Sequence, residues 1–132
     1  MESTQTSEFR PLILVAEDDD SNFKLIKAII GKKCDIMWAR NGEEMVNLFQ
    51  THGENAKAML MDIKMSLMNG LEATKIIRES NTTIPIIMQT AYAFSSDKEN
   101  AMKAGATEVL VKPITLGVLR GTLSKYLPDL QW

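Results

Sequence analysis

A single cysteine, Cys34, rules out an internal disulfide in this chain of 132 residues. No stretch approaches the roughly 20 consecutive apolar residues of a membrane-spanning helix. The opening MESTQTSEF has neither the basic start nor the apolar middle of a signal peptide. Together these absences favour the cytoplasm. Neither sign of charge prevails: 15 Lys and Arg face 17 Asp and Glu, for a net charge of −2. That argues against direct nucleic-acid binding through the whole surface, which needs a basic face to neutralise phosphates. Internal repeats and low-complexity tracts are also missing, and the length suits one ordinary domain rather than two. What is there is the mix of a folded soluble protein, 45% hydrophobic and 24% charged.

Residues 1–10, rich in Ser, Thr and Glu, read as a flexible leader or linker. From Leu12 onward, short apolar runs alternate with amphipathic stretches. LILVA (12–16), CDIMWA (34–39), AMLM (58–61), IPIIMQ (84–89) and TEVLV (107–111) are too short for helices and rich in strand formers. The stretches between them carry apolar residues at helical spacing. Phe23, Ile26 and Ile30, with Leu25 and Ile29 beside them, form the first such set, closed by Gly31. Met45, Leu48 and Phe49 follow the Asn41-Gly42 turn, and Leu71, Ala73, Ile76 and Ile77 follow Asn69-Gly70. Residues 95–104 are helical but weakly apolar, whereas Leu116, Leu119, Leu123 and Leu127 make the clearest stripe. Five strand–helix pairs imply parallel strands with crossover helices on both faces. Five are too few for an eight-stranded barrel, which leaves an open doubly wound sheet.

Ligands in such sheets bind beyond the carboxyl ends of the strands. Glu17, Asp18, Asp19 and Asp20 follow the first strand, Asp62 the third, Thr90 the fourth and Lys112-Pro113 the fifth; only Ala39-Arg40 follows the second. Carboxylates gathered on one edge repel, and their pKa values rise unless a cation compensates. Lys112 supplies one positive charge. A divalent ion is the natural second source, and oxygen-only ligands point to Mg²⁺, which binds one or two carboxylates together with waters and substrate phosphate. This describes an acidic pocket prepared for a phosphoryl group. Asp19 and Asp20 read equally well as helix N-caps.

The segments ILVAEDDDSN (13–22), ARNGEE (39–44), MLMDIKMSLMNGLEATKIIR (59–78), IPIIMQTAYA (84–93) and GATEVLVKPI (105–114) together resemble the response-regulator receiver domain of two-component signalling. The MDIKM…MNGLEATKIIR block is similar to receivers attached to hybrid sensor kinases. The resemblance implies a flavodoxin-like (βα)5 sandwich over residues 11–128, with a parallel sheet of order 2-1-3-4-5 and a C-terminal tail at 129–132. It implies that Asp62 is the phosphoacceptor. Glu17 and Asp18 match the acidic pair that organises Mg²⁺ (with Mn²⁺ able to substitute), Asp18 being the direct ligand, and the Lys64 backbone carbonyl matches a further ligand. Thr90 matches the hydroxyl that binds the phosphoryl oxygens and repositions after phosphorylation. Lys112 matches the cation that contacts the same oxygens, and its bond to Pro113 matches a family cis peptide. Lys64 and Tyr92 match residues that flank the path of the hydrolytic water. The implied donor is a phosphohistidine on a histidine kinase or histidine phosphotransfer protein. The implied signal is a conformational change, with the 95–127 face available for homodimerisation. No enzymatic activity is implied beyond the chain's own phosphorylation and dephosphorylation, and the output lies in a partner or in flanking sequence.

Three positions depart from the family pattern. Val109 stands where an aromatic usually changes rotamer with the Thr movement, Ser66 replaces a frequent proline, and Glu17 replaces the commoner aspartate. The alternative is a pseudo-receiver that binds partners without phosphorylation; the complete set of Glu17, Asp18, Asp62, Thr90 and Lys112 disfavours it. A phosphatase of the haloacid dehalogenase class needs a second aspartate two residues after the nucleophile, where this chain has Lys64.

Overall fold

The computed structural model describes residues 9–91 and 96–132. Its elements are β1 (Leu12–Ala16), α1 (Asp20–Ile30), β2 (Asp35–Ala39), α2 (Gly42–His52), β3 (Ala56–Asp62), α3 (Gly70–Arg78), β4 (Ile86–Thr90), α4 (Asp97–Ala104), β5 (Glu108–Val111) and α5 (Leu116–Tyr126). All strand pairs are parallel, in the order β2-β1-β3-β4-β5. The expected fold is the observed one. The third strand begins at Ala56 rather than Ala58, and the fourth is shifted to end on Thr90.

Alternation along each strand divides the interior in two. Ile13, Val15, Ala58, Leu60, Ile87 and Leu110 face α1 and α5, where they meet Phe23, Ile26, Ile30, Leu119 and Leu123. Leu14, Ala16, Met59, Met61, Ile86 and Met88 face the other way, onto Met45, Ala73, Ile77 and Ala101 of α2, α3 and α4. Ile13, Leu14, Met59, Leu60, Met61, Ile86, Ile87 and Met88 are fully buried or nearly so. At roughly 1.5–3 kcal/mol for each large apolar side chain, this two-sided burial is the main reason the short runs settle as central strands. Leu25 and Leu116, expected within their helical stripes, are exposed. A strip of helix narrower than the apolar set is all the sheet can cover.

Four of the five helix starts are capped by side chains, α4 being the exception. Asp19 accepts from the Ser21 amide at 2.9 Å, so Asp19 is the cap of α1 and Asp20 is the first helical residue. Asn41 caps α2, Thr115 caps α5, and Asn69 with Glu72 forms a reciprocal capping box on α3. Each cap is worth about 1 kcal/mol. Gly31 does close α1, but in a right-handed conformation; the left-handed glycine stop occurs at Gly105, φ 116°, after α4. Beyond α5, Leu130 is buried in the core on the α1/α5 side. Trp132 donates to Ser124 Oγ at 3.0 Å beneath the Arg120 guanidinium. Among the described residues no helix is long and apolar enough to cross a membrane.

Candidate metal and phosphoryl site

Register explains why the functional side chains converge. Ala16 pairs with Met61, Asp62 with Gln89 and Thr90 with Val111, so Glu17, Asp62, Thr90 and Lys112 leave their strands at one edge. Glu17 and Asp62 are buried, and Asp18 is exposed beside them. One carboxylate oxygen from each of Glu17, Asp18 and Asp62 lies within 4.8 Å of the other two. Lys112 Nζ donates to Asp62 Oδ2 at 2.9 Å and stands 3.5 Å from Glu17 Oε1. The Lys112–Pro113 bond is cis.

Glu17 is held from every side. Its Oε1 accepts from Asn22 Nδ2, its Oε2 from the Asp19 amide at 3.2 Å, and its backbone carbonyl from Trp38 Nε1 at 2.8 Å. Burial pushes its carboxyl up to about 7; the Asn22 bond opposes that shift, the Asp62 charge adds to it and Lys112 opposes it. Burial also works against the charge on Lys112, but its hydrogen bond to Asp62 and the charges of Asp62 and Glu17 outweigh that and push the ammonium pKa up. A carboxylate cluster with one ammonium has more negative charge than its protein partners neutralise. Hard, closely spaced oxygen donors fit Mg²⁺.

Thr90 is buried, and its hydroxyl donates to Asp97 Oδ2 at 3.2 Å. Lys64, exposed in the connection after β3, brings its ammonium within 4.0 Å of the same oxygen. Val109 is half-buried against the core on the α2/α3/α4 side. Tyr92 lies outside the described residues.

Several residues around the site went unread in the sequence. Arg40, noted there only as following the second strand, pairs with Asp20 at 2.8 Å and lies over the Trp38 ring. Asp97 gave no sign within a polar helix. Asn22 and Gln89 are 67 positions apart, yet Asn22 Nδ2 donates to Gln89 Oε1 at 3.3 Å as well as to Glu17. The available signal was Gln89 itself, a polar residue closing an otherwise apolar strand.

Known proteins resemble this chain in sequence and fold. The family model for the response regulator receiver domain matches residues 13–124. Hybrid signal transduction histidine kinase I of Dictyostelium discoideum is 35% identical over 129 residues, covering 89% of this chain and 7% of that protein. The chain therefore spans a small part of that relative. The receiver domain of sensor histidine kinase PA1611 from Pseudomonas aeruginosa, solved with magnesium coordinated in its active-site cleft, is 28% identical with a TM-score of 0.82, covering 91% of this chain and 99% of that one. The co-crystal structure of the Saccharomyces cerevisiae phosphotransfer protein Ypd1 with the receiver domain of its downstream response regulator Ssk1 matches with a TM-score of 0.81 and 25% identity, over 89% of this chain and 88% of that one. On its sequence, its sheet order and the family match over most of its length, this chain belongs to the response regulator receiver domain family of two-component signalling.

Proposed function

We propose that the chain accepts a phosphoryl group from a phosphohistidine onto Asp62 in a Mg²⁺-dependent reaction. The carrying observation is the Asp62 carboxylate, buried at the strand edge, paired with Lys112 at 2.9 Å and grouped with Glu17 and Asp18. Asp18, Asp62 and the Lys64 carbonyl would hold the ion, with Glu17 behind them. The chemistry a bound Mg²⁺ supplies is neutralisation of these carboxylates and of the phosphoryl oxygens; the same donors suit Mn²⁺.

A carboxylate oxygen of Asp62 attacks phosphorus in line. The bond from phosphorus to the donor imidazole breaks, and its electron pair stays with the nitrogen. Lys112 meets the charge on the equatorial oxygens. The Thr90 hydroxyl, now turned to Asp97, has to leave that carboxylate to reach the same oxygens, which couples acceptance to the start of α4. Water later cleaves the acyl phosphate, with Lys64 flanking its path. The donor class is a histidine kinase or histidine phosphotransfer protein, in keeping with the Ypd1–Ssk1 neighbour. The chain turns over no separate substrate. Its exposed Met102, Val111 and Val118 support homodimerisation through the 95–127 face.

The test is incubation with Mg²⁺ and acetyl phosphate followed by intact-mass measurement. One added phosphoryl group, lost in Asp62→Ala, is the expected result. Folded protein whose mass never changes would overturn the reading.

A further inference from the structure

The Glu17 carboxylate rests on a second layer that reaches across the sheet. Asn22, on the first turn of α1, donates one amide proton to Glu17 Oε1 and the other to Gln89 Oε1 at 3.3 Å. Gln89 is fully buried on β4, paired in register with Asp62. Its Nε2 is the one buried side-chain polar atom among the described residues without a hydrogen-bond partner. A buried donor left unsatisfied destabilises the fold. An apolar residue of similar volume would avoid that cost and continue the apolar run of IIM before it.

The amide chemistry shows what Gln89 does there. An asparagine amide can face a carboxylate with its nitrogen or with its oxygen, and only the nitrogen attracts. Gln89 presents its own oxygen to Asn22. With that acceptor in place, turning the Asn22 amide over would set oxygen against oxygen on both sides. Gln89 therefore fixes which end of Asn22 meets Glu17, and Asn22 in turn fixes the carboxylate that Lys112 and the Asp19 amide share. Metal ligands oriented by outer hydrogen bonds typically lose 10–100-fold in affinity when those bonds go.

We infer that Gln89, acting through Asn22, is a positioning residue for the acidic site: it orients Glu17 for Mg²⁺ binding and costs the fold stability in doing so. This rests on the proposed Mg²⁺-dependent reading of the site.

The test pairs Gln89→Met, which keeps the volume and removes the amide, with Asn22→Ala and the double variant. Mg²⁺ affinity is read by titrating tryptophan fluorescence, since Trp38 donates to the Glu17 carbonyl; stability is read by urea unfolding without metal. Gln89→Met is expected to unfold at equal or higher urea yet bind Mg²⁺ about tenfold more weakly. In the Asn22→Ala background the same change should leave Mg²⁺ affinity unaltered. A merely structural glutamine would give lower stability and unchanged affinity, which overturns the inference. Additive losses in the double variant would overturn the route through Asn22. Failure of the unaltered protein to bind Mg²⁺ at all would instead sink the reading beneath it, and the inference with it.

Discussion

Two residues show how burial sets chemistry at the scale of one side chain. Lys112 is the ion-pair partner of both buried carboxylates, Glu17 and Asp62, among the described residues. One ammonium near two carboxylates gives a site that holds together without metal but retains affinity for a further cation. Cys34 sits in an opposite environment. It is buried between α1 and β2, and burial pushes its thiol up to about 11, with the Arg10 charge pulling down and Asp35 adding upward. Thiol reagents need an accessible thiolate, and the folded protein offers neither the access nor the charge. At pH 8, iodoacetamide labelling of the native protein should be far slower than in urea, and its rate should climb through the unfolding transition in step with circular dichroism. Rapid labelling before any loss of structure would contradict the burial described for this site.

At the scale of elements, the first residue of α3 packs directly against the end of β3. A Cβ on Gly70 would lie 2.2 Å from the Asp62 carbonyl oxygen and 2.7 Å from the Met88 methyl, while the Gly70 amide donates to the Ile63 carbonyl at 2.8 Å. The obstacle at Asp62 is backbone, so an added methyl has to move the very residue that carries the proposed chemistry. Gly70→Ala is expected to lower stability by about 1–3 kcal/mol and to slow phosphorylation from acetyl phosphate. Gly121, exposed on the outer side of α5 and with open space around it, is the control. Ala there should raise stability by roughly 0.5–1 kcal/mol and leave phosphorylation unchanged. If both variants moved stability the same way in urea titrations, the close approach of Gly70 to Asp62 would not be the cause.

The same elements separate what the sequence carries locally from what it does not. LILVA is readable as β1 because five consecutive apolar residues can only be covered from both faces. Asp62, Thr90 and Lys112 are readable because each stands where an apolar run stops. The cap of α1 is harder: Asp18, Asp19 and Asp20 offer the same side chain, and only backbone direction selects Asp19. Leu25 and Leu116 look like core and are exposed because coverage depends on where α1 and α5 lie on the sheet. Thr74 is fully buried with its hydroxyl 3.7 Å from Met88 sulfur, a contact between two elements that neither helical spacing nor strand alternation encodes. The Asn22–Gln89 contact is of the same kind, made between the first turn of α1 and the carboxyl end of β4.

For the whole molecule, the sheet order leaves β5 as an edge, with α4 and α5 on either side. An edge strand and its neighbours are where a second chain can be received. Here Met102 of α4, Val111 of β5 and Val118 of α5 are about half exposed, at 48%, 42% and 50%. Isolated apolar residues at a surface are ordinary, so these three alone imply at most weak association. A stable interface buries on the order of 1,200 Å² or more, which three side chains do not provide without an adjustment of α4. The Thr90–Asp97 bond ties the first residue of α4 to the edge of the proposed phosphoryl site, so movement of Thr90 toward a phosphoryl group would remove one of the ties on that helix. Sedimentation velocity should therefore find mostly monomer without phosphodonor, and a larger dimer fraction once Mg²⁺ and acetyl phosphate are added. Val118→Glu places a charge on the exposed face of α5 and should abolish the dimer without preventing the mass gain at Asp62. A dimer fraction indifferent to both phosphodonor and Val118→Glu would remove this face from the signalling route, whereas dimers lost on substitution but insensitive to phosphodonor would break the link through Thr90 alone.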